Sequence, residues 1–247
     1  EKSFNPNLML VCADLVSCDT SCQNENKEII LNHCCSFIKS IFLKQKSNPI
    51  LFGIIIKHNP SNSIIIAFRG TSTKYEGMVY DGDVCPSTNQ LFLGCSNGFV
   101  QTLENLELED SNEDIFKFIN SIPDVKNIII TGHSLGAAVA TLFAIKLNNY
   151  CSLYTFGSPR VISHDFNKTL LSKIVNSFRI FNQNDPIPAI PAAADLKPFY
   201  THVGLPKVLD FEGKTAVDNH FFYMRELISD SNKLNSMMSM MKMMKIQ

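Results

Sequence analysis

An α/β fold in one domain, with a mostly parallel central sheet flanked by helices, is what the sequence predicts, and three observations carry it. From residue 125 onward, strand-like and helix-like segments alternate. Residues 125–131 read as a strand, 137–147 as a helix of strong formers, 151–156 as a strand, 165–174 as a helix and 177–182 as a strand. Strands that alternate with helices give a parallel sheet covered on both faces. No internal repeat and no linker splits this unit, so residues 1–247 are expected to form one domain. A length of 247 residues with 45% hydrophobic content is also enough to bury a sizeable core.

The earlier elements follow in order. Ile30, Cys34, Phe37, Ile38 and Ile41 recur at three- and four-residue spacing, with Lys39, Lys44 and Lys46 off that stripe, so the first fifty residues are expected to be helical up to Pro49. Residues 50–57 and 63–68 are β-branched runs separated by the turn-rich His58-Asn-Pro-Ser-Asn62, which is a hairpin signal. A glycine-punctuated segment at about 72–98 has no period and is expected to be a lid-like loop. Residues 99–122 are expected to form a helix with an acidic outer face, and residues 221–244 a final helix.

Composition excludes several classes. Lys plus Arg number 22 against 23 Asp plus Glu, a net charge of −1, which argues against a basic nucleic-acid binder. The apolar fraction excludes disorder, and no stretch reaches the roughly 18 continuous apolar residues of a membrane helix. Eight cysteines, five of them within the first 35 residues, and a first residue that is not Met fit a secreted chain with disulfides, Cys85–Cys95 among the pairings considered. A zinc reading of Cys18, Cys22, His33, Cys34 and Cys35 is disfavoured, because adjacent thiolates converge poorly on one tetrahedral ion. Asn167-Lys168-Thr169 is a glycosylation sequon.

The sharpest feature is Gly132-His133-Ser134-Leu135-Gly136, set between a strand and a small-residue helix. In a nucleophile elbow this spacing forces the serine backbone into a strained turn that lifts Oγ clear of the sheet, and the glycines permit the close strand–helix approach. The helix N-terminus beneath stabilises developing negative charge. A nucleophilic serine needs a base, and the base needs an orienting carboxylate, here expected downstream in that order. Asp185 lies just past the strand ending at Asn182, stiffened by Pro186 and Pro188, whereas Asp165, Asp195, Asp210 and Asp218 lack such a strand end. His202 and His220 both follow it; His220, entering the last helix, is the expected base. His133 would point away from the serine in a structural role.

Five blocks in order carry a resemblance to a known family: Phe68-Arg-Gly-Thr71, Gly132-His-Ser-Leu-Gly-Ala137, Tyr154-Thr-Phe-Gly-Ser-Pro-Arg-Val161, Asn184-Asp-Pro-Ile-Pro188 and Asp218-Asn-His220-Phe-Phe-Tyr223. Together they resemble the fungal-type class 3 triacylglycerol lipases. The resemblance implies an α/β-hydrolase fold, Ser134 as nucleophile, Asp185 as its acid partner, His220 as base, and Thr71 and Leu135 as oxyanion-hole donors. It assigns His202 to a structural His-x-Gly block. Arg69 and Arg160 are expected to anchor sheet and loops. It further implies a lipid or other ester substrate, transient contact with lipid interfaces, a secretory location, a monomer, and no cofactor, metal or nucleic acid.

The same family's lids commonly carry tryptophan, and this chain has none; its polar residues 73–85 argue against strong interfacial activation. A feruloyl or general carboxylesterase, a peptidase, and an inactive binding or signalling module are therefore the competing readings. The methionine-rich segment 237–244 is expected to be a terminal helix or frayed end.

Overall fold

The computed structural model describes residues 34–44, 49–71, 85–109, 111–191, 199–223 and 226–227. Isoleucine-rich runs build its sheet. Strands β1 (Cys35–Leu43), β2 (Ile50–His58), β3 (Ser63–Phe68), β4 (Leu106–Leu108), β5 (Asn127–His133), β6 (Cys151–Phe156), β8 (Ile174–Asn182) and β10 (Leu205–Leu209) lie in the order β10-β8-β6-β5-β3-β2-β1-β4. β3, β5, β6, β8 and β10 run parallel to one another, and β2, β1 and β4 complete one edge antiparallel. Two short strands, β7 (Ile162–Ser163) and β9 (Tyr200–Thr201), pair apart from it.

Because alternate strand residues face opposite sides, a doubly covered strand must be apolar throughout. In β3, Ile64, Ile66 and Phe68 enter the core layer that also holds Phe143 and Leu142, whereas Ile65 and Ala67 join Ile129, Phe156, Phe178 and Tyr223 on the other side. The first layer is filled by helices α1 (Asn97–Glu104), α2 (Ile115–Ser121) and α3 (Leu135–Lys146). Helix α3 is buried from Leu135 through Ile145, so it is apolar on every side rather than amphipathic. Phe143 stacks on Phe116 at 4.5 Å and tilts against Phe68 at 5.3 Å, locking α3 between α2 and the sheet. A short helix, α4 (Ala216–Phe221), follows β10, and residues 223 and 226–227 are again helical; the rest of the helix expected at 221–244 lies largely outside the described residues.

Three expectations are corrected. Residues 35–43 are strand β1, not helix. Its pairing with β2 shifts register between Phe37 and Lys39 and again between Ile41 and Phe42. Each irregularity moves the apolar phase by one residue, so a period-2 strand imitates a three- and four-residue stripe. Of the rest of that expected helix, Cys34 is an exposed free thiol, whereas residues 1–33, with Cys12, Cys18, Cys22 and His33, and residues 45–48 lie outside the described residues. Residues 99–122 are not one helix: α1 ends at Glu104, β4 adds to the edge of β1, and α2 restarts at an Asp114 cap whose side chain accepts from Lys117 N at 2.9 Å. Residues 168–173 form a 3₁₀ turn in place of the helix expected at 165–174.

The hairpin, the strands at 151–156 and 177–182, and the elbow helix lie where expected. Cys95 is a fully buried free thiol, so no Cys85–Cys95 bridge is made. Burial pushes the Cys95 and Cys151 thiols up to about 12, making them inert core groups. Most of the lid-like segment and the methionine-rich tail lie outside the described residues; residues 85–96 within the former form a loop with one 3₁₀ turn at Gln90–Phe92.

Candidate active site

Open α/β sheets present loops at the carboxyl ends of their parallel strands, and four such exits converge here. They are Arg69–Thr71 after β3, Ser134 after β5, Gly157 after β6 and Asp185 after β8.

Ser134 joins β5 to α3 with φ 55 and ψ −124, a conformation that costs a side-chain-bearing residue about 1–3 kcal/mol. The turn is held rather than relaxed. Ser134 N donates to Phe156 O at 3.0 Å, and Ala137 N donates back to Ser134 O at 2.9 Å. Glycine is obligatory on both sides: a Cβ on Gly132 would lie 2.1 Å from Gly136 O, and one on Gly136 would lie 2.2 Å from Arg69 O. The serine side chain does not cap α3, and Ser134 is partly exposed between buried His133 and Leu135. The residue thus stands at the N-terminus of a helix whose first N–H groups have no partner within the helix.

Asp185 is buried, and its carboxylate has three donors. Oδ2 accepts from His220 Nδ1 at 2.8 Å and from Tyr223 OH at 2.6 Å; Oδ1 accepts from Ile187 N at 2.9 Å. Committing the Nδ1 proton of His220 to Asp185 leaves Nε2 as the basic nitrogen. Burial drives the Tyr223 phenol far above its ordinary value, and the nearby Asp185 charge adds to this, so the hydroxyl remains a donor. That hydroxyl also accepts from Asn182 N at 3.0 Å. Fully buried Asn182 donates from Nδ2 to Asn219 O at 3.3 Å, tying the end of β8 to α4.

The remaining groups hold this arrangement. Arg160 donates to the carbonyls of Ala189 and Pro191, and its backbone N to Ile190 O at 2.8 Å; His202 Nε2 meets Pro188 O at 3.0 Å. Both contacts clamp the loop carrying Asp185. Arg69 likewise anchors backbone, with Nε on Leu51 O at 2.7 Å and a second nitrogen on Gly70 O at 2.6 Å. Asp218 closes a capping box with Thr215 at the start of α4, which occupies it in place of any triad role. Thr71 Oγ1 is buried without a partner among the described residues, and a Cβ on the preceding Gly70 would lie 3.2 Å from Ser134 Cβ.

Sequence reasoning missed Tyr223 and Gly157, and gave His133 a structural role without its contact to the His220 ring. Tyr223 is readable in principle, since a residue three past His220 on a helix shares its face. Gly157 has φ +55, and a Cβ there would lie 3.0 Å from Asp185 Oδ2 and 3.1 Å from the His220 ring, a clash invisible without coordinates.

Buried His133 and half-buried His202 make stability depend on pH. Burial, with His220 adjacent, lowers His133 from 6.5 to about 3; burial, with Arg179 and Arg160 nearby, lowers His202 to about 4. Both folded values lie below the unfolded one. Their contribution is therefore intact above pH 6.5 and falls as the unfolded chain takes up protons that the folded chain refuses, down to about pH 4 for His202 and about 3 for His133. Each histidine is expected to remove up to about 1.4 kcal/mol per pH unit across its window. Urea titrations at pH 7, 6, 5 and 4 check this; a constant midpoint would contradict it.

Comparison with known proteins identifies the family and the fold. The family model described as Lipase (class 3) matches residues 65–194. A secreted mono- and diacylglycerol lipase A from Penicillium cyclopium is 31% identical over 157 residues, covering 61% of this chain and 49% of that protein. A secreted mono- and diacylglycerol lipase 1 from Fusarium solani is 28% identical over 138 residues, covering 54% and 40%. The matches thus span about half the length of these relatives or less. Among solved structures, a Rhizomucor miehei lipase propeptide complex superposes with TM-score 0.66 at 20% identity, covering 85% of this chain and 69% of that one. The nonglycosylated LIP2 lipase of Yarrowia lipolytica superposes with TM-score 0.60, also at 20% identity, covering 83% and 79%. The fold is that of the α/β hydrolases, and with more than half of its length matched by the family model, the chain belongs to the class 3 lipases.

Proposed function

We propose that this chain is a serine ester hydrolase acting on acylglycerol esters through an acyl-enzyme, with Ser134 as nucleophile, His220 as base and Asp185 as the orienting carboxylate. The observation that carries it is the buried His220 Nδ1–Asp185 Oδ2 contact of 2.8 Å beside the strained Ser134 turn. His220 Nε2 takes the hydroxyl proton as Ser134 Oγ attacks the ester carbonyl. The backbone N–H groups of Thr71 and Leu135 receive the oxyanion, with the unpartnered Thr71 hydroxyl available as a third donor; one such donor is worth about 3 kcal/mol. The imidazolium returns its proton to the leaving alcohol. Water then repeats the sequence, with His220 as base, and frees the acid.

Relatives described as secreted mono- and diacylglycerol lipases support a partial acylglycerol as substrate and a secretory location. We extend both to this chain, acting as one monomeric domain at a lipid–water boundary.

The decisive experiment is labelling with a fluorophosphonate probe, mapped by peptide mass spectrometry. Stoichiometric modification of Ser134 is expected. Hydrolysis rates on mono-, di- and triacylglycerols, phospholipid, a feruloyl ester and a peptide, below and above the solubility limit, then order the substrates. Absence of labelling and of turnover would instead indicate a binding module with a vestigial site.

Gly157→Ala offers a second check. Its Cβ would press between Asp185 and His220, so kcat is expected to fall about 10- to 100-fold, the scale of a small misplacement of reacting groups. Wild-type kcat in a folded Gly157→Ala protein would show that this contact tolerates expansion.

A further inference from the structure

His133 is a buried titratable side chain that the proposed chemistry leaves unused, and it touches three parts of the site. Its Nε2 lies 2.8 Å from the backbone carbonyl oxygen of His220. A carbonyl only accepts, so Nε2 carries the proton and Nδ1 presents a lone pair. That Nδ1 edge abuts the loop leading to Thr71: a Cβ on Gly70 would lie 2.9 Å from it. The ring face packs on the His220 imidazole, with centroids 4.5 Å apart and planes inclined by 35°. Phe221 and Tyr223 flank it at 5.4 and 5.9 Å. The backbone of His133 runs directly into Ser134.

We propose that His133 is a positioning residue: a neutral imidazole wedged between the oxyanion loop and the base, which fixes where His220 stands relative to Ser134. The inference rests on the assignment of His220 as base. Position alone makes the case. One ring bonds the backbone of the base, supports its imidazole, and limits how closely the Gly70–Thr71 strand exit approaches, while its own chain carries the nucleophile. Protonation would undo the arrangement by setting a cation against the imidazolium that His220 becomes during turnover. Burial, helped by His220 itself, holds His133 down to about 3 and prevents this. An uncharged aromatic face, in contrast, accommodates a neighbouring cation.

The test separates donor from ring. His133→Phe keeps an aromatic face and loses the N–H; His133→Gln places an amide donor where Nε2 stood. kcat and KM on a soluble nitrophenyl ester, the rate of Ser134 phosphonylation by a fluorophosphonate, and thermal unfolding are measured for wild type, both variants and His220→Ala. His133→Phe is expected to lose about tenfold in kcat and in phosphonylation rate, the worth of one hydrogen bond, with KM within about twofold. His133→Gln is expected to recover kcat to within about threefold of wild type. Should His133→Phe be too unstable to assay, His133→Gln against His133→Asn, whose shorter amide falls short of the carbonyl, makes the same comparison. Wild-type kcat in His133→Phe, a change confined to KM, or losses that only track the folded fraction would overturn the proposal. Full turnover by His220→Ala would instead remove the base assignment on which it rests.

Discussion

Replacing His220 with alanine is expected to lower kcat on a soluble nitrophenyl ester by about 10⁴- to 10⁶-fold, the scale seen when a triad base is deleted. Without the imidazole, nothing is positioned to take the Ser134 proton, and the Asp185 carboxylate loses one of its three donors. KM is expected to change little, because the lost interaction acts chiefly in the transition state. His202→Ala provides the contrast. His202 reaches Pro188 O rather than the reacting groups, and Arg160 still clamps the same loop through Ala189, Ile190 and Pro191. Losing that bond is expected to cost about 1–2 kcal/mol of stability, with kcat within about tenfold of wild type at low temperature. Parallel measurement of kcat and the urea midpoint on both variants checks the pair. A reversal, with His202→Ala inactive and His220→Ala active, would exchange their roles.

The contrast also shows which parts of the molecule are legible from sequence. The elbow is readable because its constraint is local: Gly132, Ser134 and Gly136 are dictated by a strand and a helix only a few residues apart. Asp185 and His220 are readable because chain order and strand ends restrict the choices, and the competing Asp218 turns out to serve a cap. Strand β1 is not readable, since two register shifts destroy the period on which a sequence reading depends. Residues 99–122 mislead for a different reason. Leu106–Leu108 has apolar spacing compatible with helix, and only the open edge of β1 makes it a strand. Tyr223, His133 and Gly157 matter through contacts spanning 28 to 87 positions of sequence, and only the three-residue spacing of Tyr223 from His220 offers a local hint.

Asp185→Asn tests the acid partner most sharply, because the substitution conserves shape while reversing one hydrogen bond. Ile187 N requires an acceptor and holds the Oδ1 position, so the asparagine carbonyl is expected to remain there. The NH₂ group then takes the place of Oδ2, facing His220 Nδ1 and Tyr223 OH. Two donors cannot share a bond, so His220 must offer a lone pair at Nδ1 and carry its proton on Nε2, where it can no longer accept from Ser134. The expected loss is about 10⁴-fold in kcat. Tyr223→Phe removes only one of three donors to the carboxylate and leaves Asn182 N without its acceptor, so about a tenfold loss is expected, with lower stability. In the Asp185→Asn background the tyrosine has no carboxylate left to serve. Adding Tyr223→Phe there is expected to cost less than about threefold in kcat, a coupling that a double-mutant cycle measures directly. Equal losses in both backgrounds would mean that Tyr223 acts independently of Asp185, and a 10⁴-fold loss from Tyr223→Phe alone would put the phenol itself in the proton path.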